Sequence, residues 1–325
     1  MPLLRIGISI GDPGGIGPEI TIKALASKKS LPPAHYIIFG SSSIITEEQK
    51  KLGLDLEVAP FKNKKHSPKP SVFIWNTSPL PSAASKGYPS AANGQASFQF
   101  FKEAVIQAQN GTIQAVVTAP ISKTSWKMAG LSWSGHTDFL SHFYPQAIMS
   151  FWSERLKVAL FSHHLPLNEA LKKVKKTNLS KFFIQLDQSV KKIKSEQFNF
   201  LVAGLNPHAG ENGLLGSEEQ IEIIPAVRRA QKEGVNIEGP YPPDVIFRLA
   251  LDCPQKIVIA LYHDQGLIPF KLLSFQEGVN LTLGLPFIRT SPDHGTAFDI
   301  AGQGKANPLS MVKAIQLAAS LSPSL

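Results

Sequence analysis

Short, continuous apolar runs punctuate the chain, and longer stretches between them carry apolar residues at helical spacing. The runs are LLRIGISI (3–10), HYIIFG (35–40), SVFIW (71–75), AVVTA (115–119), KVALF (157–161), FNFLVAG (198–204) and KIVIAL (256–261). Several are apolar throughout rather than alternating, as strands covered on both faces of a sheet require. Residues 95–111 place Phe98, Phe101, Val105 and Ala108 on one helical face, with Asn110-Gly111 to end it. Residues 178–193 repeat the pattern, with Asn178 or Ser180 as N-cap. Residues 217–234 open with Ser217 and two glutamates and close on Gly234. This alternation predicts an α/β fold. The segment NTSPLPSAASKGYPSAANGQ (76–95) reads as a surface loop.

The residues that follow the runs are more informative than the runs. KIVIAL empties into Tyr262, His263, Asp264, Gln265 and Gly266. KVALF runs into Ser162, His163, His164, Leu165 and Pro166, and FNFLVAG into Leu205, Asn206, Pro207, His208 and Ala209. AVVTA leads to Pro120, Ile121, Ser122 and Lys123, and the first run leads to Gly11, Asp12, Pro13, Gly14 and Gly15. In open α/β sheets ligands bind just beyond the strand ends, where such loops converge.

Composition narrows the class. At 325 residues with 43% apolar and 18% charged content, the chain reads as globular. Its length suggests two domains. A single cysteine, Cys253, excludes a disulfide framework and a cysteine-based metal site, and fits a reducing cytoplasm. The N-terminal stretch lacks the features of a secretion signal. No apolar run reaches the roughly 20 residues of a membrane span. The net charge of +9 sits in FKNKKHSPKP (61–70), LKKVKKTN (171–178) and KKIK (191–194). Few aromatics interleave these runs, so they read as solvated faces and a loop rather than a nucleic-acid surface.

Of the nine histidines, His35, His66 and His142 stand alone and read as surface or packing residues. His164, His208 and His263 each follow a strand and could together hold Zn²⁺, Co²⁺, Ni²⁺ or Fe²⁺ if they converge. Spacing does not separate His164 from His163. Each could equally hydrogen-bond within its own turn. SGHTDFL (134–140) sets His136 and Thr137 ahead of an apolar run, suiting either a phosphate at a helix start or a plain Thr137 N-cap. GGIGPEI (14–20) is a glycine-rich turn without the GxGxxG fingerprint. Lys271, Asn280 and Arg289 add two cations and an amide, and Arg289 could clamp a phosphate or carboxylate. SPDHGTAFDIAGQGKANP (291–308) has the composition of a binding loop.

GDPGGIGPEI, TAPISK, GHTDFL, GLNPHAGENGLLGSEE, GPYPPDVIF, YHDQGLIPFK and GLPFIRTSPDHGTAFDIAG occur in order from residue 11 to residue 302. As an ordered set they resemble the 4-hydroxythreonine-4-phosphate dehydrogenase family of pyridoxal phosphate biosynthesis. The resemblance implies a two-domain fold like that of isocitrate and isopropylmalate dehydrogenases, with the active site in an interdomain cleft at a homodimer interface. The implied domains are 1–128 plus 270–325 and 129–269. The implied reaction is oxidation of 4-phosphooxy-L-threonine by NAD (or NADP), then decarboxylation to 3-amino-2-oxopropyl phosphate. One divalent metal (Zn, Co or Mg) per site would be held by His164, His208 and His263, one of them from across the dimer. The HLPL motif favours His164 over His163.

Substrate contacts carry over to His136, Thr137, Lys271, Asn280 and Arg289. The dinucleotide is expected near Asp293, His294 and Gly295. Asp244 and Asp264 are both candidates for orienting a ligand histidine or relaying a proton, with no basis for choosing between them. Relatives with the same motifs resemble dehydrogenases of 4-phospho-D-threonate or 4-phospho-D-erythronate. A non-catalytic phosphometabolite-binding protein is the alternative of another class.

Overall fold

The structure, a computed structural model, describes residues 3–27, 30–62, 69–77 and 86–322. His66, most of the lysine-rich run at 61–70 and residues 78–85 of the 76–95 segment lie outside the described residues. The chain forms two α/β units, 1–145 with 286–325, and 146–285.

The first pass through unit 1 gives β1 (Leu4–Ser9), α1 (Gly17–Ala26), β2 (Ala34–Gly40), α2 (Ser42–Leu52), β3 (Val58–Pro60) and β4 (Ser71–Asn76). It continues with α3 (Ala91–Gln109), β5 (Ala115–Thr118), α4 (Lys123–Met128) and α5 (His136–Phe143). Unit 2 follows with β6 (Ile148–Trp152), β7 (Lys157–Leu160), α6 (Leu167–Lys173), α7 (Lys176–Ile193) and β8 (Asn199–Ala203). Then come α8 (Ile224–Lys232), β9 (Ile237–Tyr241), α9 (Ile246–Ala250), β10 (Lys256–Ala260), α10 (His263–Ser274) and β11 (Val279–Leu283). The chain re-enters unit 1 with β12 (Ile288–Pro292) and α11 (Leu309–Leu321).

Among the described residues of unit 1 the strand order is β3-β4-β2-β1-β5-β12, and the pairings are parallel. Parallel strands need crossover helices that cover both faces, which is why β1, β2 and β5 are apolar without alternation. In unit 2 the order is β11-β6-β7-β10-β8-β9, antiparallel from β11 to β7 and parallel from β7 to β9. Its core gathers Phe151, Val158, Leu160, Leu201, Val258 and Phe270.

Several local expectations shift. Helix α3 starts at Ala91, inside the stretch read as loop, because the Ser90 hydroxyl caps the Asn93 N–H at 3.2 Å. Helix α7 begins at Lys176 after Lys175, so neither Asn178 nor Ser180 is its cap. The Ser180 hydroxyl instead donates back to the Lys176 carbonyl. Residues 129–145 belong to unit 1 rather than to the second domain, because Phe139 on α5 packs on Phe98 and Phe101 at ring distances of 5.8 and 5.3 Å. Residues 270–285 belong to unit 2, where β11 pairs with β6 and Phe270 meets Phe151 at 5.7 Å. Among the described residues no helix is long and apolar enough to cross a membrane.

Candidate active site

Within each unit, the polar residues that follow the parallel strands lie just beyond the strands' carboxyl ends. Unit 1 brings Arg289, Thr118 and His136 together in its interior. Arg289 enters on β12, opposite Val116 of β5, and is 3% exposed. Its Nη2 donates to the Thr118 hydroxyl at 2.7 Å and reaches His136 Nδ1 at 3.3 Å. Arginine has only donors, so Nδ1 of His136 is the acceptor and Nε2 carries the proton. That Nε2 is buried and has no hydrogen-bond partner. The ring is held by Phe101 at 4.3 Å and Trp126 at 5.6 Å between centroids.

Burial, and then the Arg289 charge, hold His136 well below the ordinary histidine range, so it is neutral. Burial lowers Arg289 to about 10, which leaves it charged at neutral pH. A buried cation beside an unsatisfied N–H suits an anion. His136 is the first residue of α5 and Gly135 its N-cap, so Thr137 is the second helical residue and not the cap. Lys123 passes beside Gly135, within about 4 Å of where a Cβ would stand.

The glycine-rich turn at 11–17 is not a phosphate cradle. Its amides are spent internally: Asp12 N–H on Pro120, Gly14 N–H on the Asp12 carboxylate, Gly15 N–H on the Asp12 carbonyl, and Ile16 N–H on Thr296. Asp12 is fully buried and also accepts from the Ser125 hydroxyl at 2.7 Å. A Cβ on Gly15 would stand 2.7 Å from the Thr296 carbonyl, so this glycine allows close approach to the 291–308 loop. That loop is further fastened by Lys23, which donates to the Gly304 and Ala306 carbonyls, and by Glu19, which accepts the Ala306 N–H. Within it Asp293 and His294 are half-buried and Gly295 is exposed.

Unit 2 carries the histidines. A pocket of about 280 Å³ is lined by Ser162, His163, His164, Leu167, His263 and Asp264. The rings of His164 and His263 lie 5.7 Å apart. His164 is exposed and its backbone is left-handed, with φ 40°. His163 packs inward, its Nδ1 buried, and burial lowers it to about 4. His263 opens α10, and its Nδ1 stands 2.7 Å from the Asp264 carboxylate. A carboxylate holds Nδ1–H, which leaves the Nε2 lone pair for a ligand. Asp264 thus contacts a candidate ligand, whereas Asp244 sits exposed in the turn before α9. Lys271 lies two turns along α10, and Asn280 lies in β11 opposite Phe151.

His208 sits apart from this pocket, on a turn that sequence reasoning did not anticipate. His208, Ala209, Gly210, Glu211 and Asn212 all have positive φ, between 43° and 81°. A left-handed run of this length costs about 1–2 kcal/mol for each non-glycine residue. It persists only where its surroundings hold it, and such strain collects at functional sites. Among the described residues no group of three His, Cys, Asp or Glu gathers as a metal site. The structure brings His164 and His263 together, and His208 is not with them. Imidazoles exposed at strand ends, one already oriented by a carboxylate, are a donor set that fits a divalent metal. A larger cavity, about 430 Å³, opens at the amino-terminal ends of β2 and β4; its lining is mainly apolar, with Glu57 and without histidine.

A family model described as pyridoxal phosphate biosynthetic protein PdxA matches residues 33–318. The 4-hydroxythreonine-4-phosphate dehydrogenase of Aquifex aeolicus is 42% identical over 316 residues, covering 96% of this chain and 97% of that protein. A protein of Oceanobacillus iheyensis, provisionally named a D-threonate 4-phosphate dehydrogenase, is 38% identical and covers 98% of both chains. The crystal structure of a 4-hydroxythreonine-4-phosphate dehydrogenase from Burkholderia phymatum superposes with a TM-score of 0.86 at 33% identity, covering 100% of both chains.

Proposed function

The chain belongs to the PdxA family of pyridoxal phosphate biosynthetic proteins and is a dehydrogenase, and from that premise we propose that it oxidises 4-phosphooxy-L-threonine at C3 with NAD and a divalent metal. The 3-keto acid then loses CO₂ to give 3-amino-2-oxopropyl phosphate. The observation that carries the reading is the buried Arg289–His136–Thr118 cluster, a cation beside an imidazole whose Nε2 has no hydrogen-bond partner, which suits an anion.

Phosphate recognition falls to Arg289 and to the Nε2–H of His136, with Thr137 beside them. Thr118 holds the guanidinium in place. Fixing the remote phosphate turns binding energy into alignment of C3 for reaction. Lys271 and Asn280 are the further substrate contacts. His164, His208 and His263 would hold the metal, which when bound supplies Lewis-acid charge at the reacting oxygen. Asp264 keeps His263 in the tautomer with Nε2 open. The loop at Asp293, His294 and Gly295 would hold the dinucleotide, which accepts the hydride.

Two copies would complete the site. The exposed faces of unit 2 support pairing: Ile268, Leu272 and Phe275 form an i, i+4, i+7 stripe, with Leu272 85% exposed. Patches of this kind mark interaction surfaces. A second copy is also the simplest source of a third histidine.

The D-threonate 4-phosphate reading is kept because several relatives, 38%, 36% and 39% identical, carry that name provisionally. The test is the appearance of reduced nicotinamide with 4-phosphooxy-L-threonine and, separately, with the phosphorylated sugar acids, each with and without a chelator. Turnover of the amino acid, abolished by chelation and restored by Zn²⁺ or Co²⁺, supports the first reading. Turnover of a sugar acid alone moves the assignment to the second. No turnover with metal and cofactor supplied rejects both.

A further inference from the structure

We propose that Glu219 is a positioning residue for His208: its buried carboxylate holds the left-handed turn in the conformation that presents the imidazole. The inference rests on His208 being a metal ligand, as read above. Glu219 is 1% exposed. Its Oε1 accepts the Leu205 N–H at 2.7 Å and the Asn206 N–H at 2.8 Å, and its Oε2 accepts Asn206 Nδ2–H at 2.9 Å. Asn206 is fixed from its other side, where the same Nδ2 donates to Glu218 at 2.8 Å. Its carbonyl then accepts the Ala209 N–H at 3.1 Å.

The carboxylate thus grips the entrance of the turn. It also lies directly under the turn's middle: a Cβ on Gly210 would stand 2.7 Å from Glu219 Oε2. His208 lies between these two points of contact. A glutamate in a helix's first turn ordinarily serves that helix's own amides or faces water. Glu219 instead reaches a loop 13 to 14 residues earlier in the chain. It does so from a π-helical turn, Glu219–Ile223, a rare local form that recurs at functional sites. Hydrogen bonds to a carboxylate are among the stronger ones, and three converge on Glu219, two from backbone N–H groups and one from the Asn206 side-chain amide. The sequence gives no hint of this, since Glu218 and Glu219 read as an ordinary acidic helix start.

The experiment titrates cobalt(II) alone into the full chain, by calorimetry and visible absorption, with no dinucleotide or substrate present. Wild type, H208A, E219A, E219Q and E219Q/A209G are compared, each with a thermal melt. The expected result is tight binding by wild type and weaker binding by H208A. E219A weakens by about 10–100-fold, the usual range for a partner that orients a metal ligand. E219Q weakens less, because its amide oxygen still accepts from Leu205 and Asn206. A209G restores cobalt affinity to E219Q, because glycine enters the left-handed region without a Cβ clash and the turn needs less holding.

Cobalt affinities of E219A and E219Q that match wild type, with H208A weakened, would overturn the role of Glu219 and leave the metal reading intact. Should E219A fail to fold, the E219Q pair decides. An A209G change that raises the melting point of E219Q without tightening cobalt shows a purely structural role. Wild type binding cobalt no better than H208A removes His208 from the metal site, and the proposal falls with it.

Discussion

Arg289 and His136 meet with Nη2 and Nδ1 3.3 Å apart in the interior of unit 1, and that contact fixes the state of both groups. A donor facing Nδ1 forces the imidazole proton onto Nε2. The imidazole in turn stays neutral, because burial disfavours its charged form and the Arg289 cation beside it adds to that. The pair therefore offers one positive charge and one N–H donor, with the Thr118 hydroxyl and His136 Nδ1 both on the same guanidinium nitrogen, Nη2.

Replacing Thr118 by valine removes an acceptor from Arg289 without changing volume much. A hydrogen bond to a charged group is worth about 1.5–3 kcal/mol, so KM for the phosphorylated substrate should rise by about tenfold or more. The KM for NAD should stay near its wild-type value. Steady-state kinetics with each substrate varied in turn checks this.

Folded-state neutrality of His136 links stability to pH. Its folded pKa lies below the ordinary value of about 6.5, so below that pH the unfolded chain binds the proton and the folded chain does not. Stability is fully present above that value and falls as pH drops toward the folded pKa, by up to about 1.4 kcal/mol per pH unit. Urea unfolding of wild type and H136Q between pH 7.5 and 5.5 reads the difference. His163 adds a slope of the same sign, but equally in both proteins. The wild type should lose more stability on acidification than H136Q.

Two carboxylates compete for the role of orienting a ligand histidine, and geometry separates them. Asp264 is 2.7 Å from His263 Nδ1, so D264A should weaken metal binding by about 10–100-fold. D244A should leave it unchanged. Cobalt titration of the two variants is the measurement.

Subunit mixing tests where the histidines come from. H164A and H208A should each be inactive alone. If one of the two ligands crosses between copies, mixed dimers hold one intact site and one doubly damaged site. A statistical mixture of the unfolded and refolded variants should then recover roughly a quarter of wild-type activity, by the symmetry of a two-site dimer. Recovery of none would mean that both ligands serve the same chain's site.

The strands that the sequence showed plainly are those with mostly apolar, non-alternating runs, such as β1, β5, β7 and β10. β12 was hidden. IRTSP contains arginine, threonine, serine and proline, yet every position is buried. Two of its polar side chains find partners within the fold, Arg289 Nη2 on the Thr118 hydroxyl and Thr290 on the Ala314 carbonyl at 2.9 Å, and such pairing is invisible in a hydropathy pattern. The candidate histidines were legible because each follows a strand. The turn under His208 was not, since histidine, alanine and glutamate do not ordinarily enter the left-handed region. What holds it there is a carboxylate from another segment.

Unit 2 is a single uninterrupted stretch of chain, whereas unit 1 is built from 1–145 and 286–325. During synthesis the two therefore mature in the reverse of their order of appearance. The histidine-bearing unit has all its strands once residue 285 has emerged, while the first unit still waits for β12 and α11. Arg289 arrives within that closing segment. The nascent protein can fold its histidine pocket early, but the Arg289–His136 contact waits until the first unit's own sheet is finished.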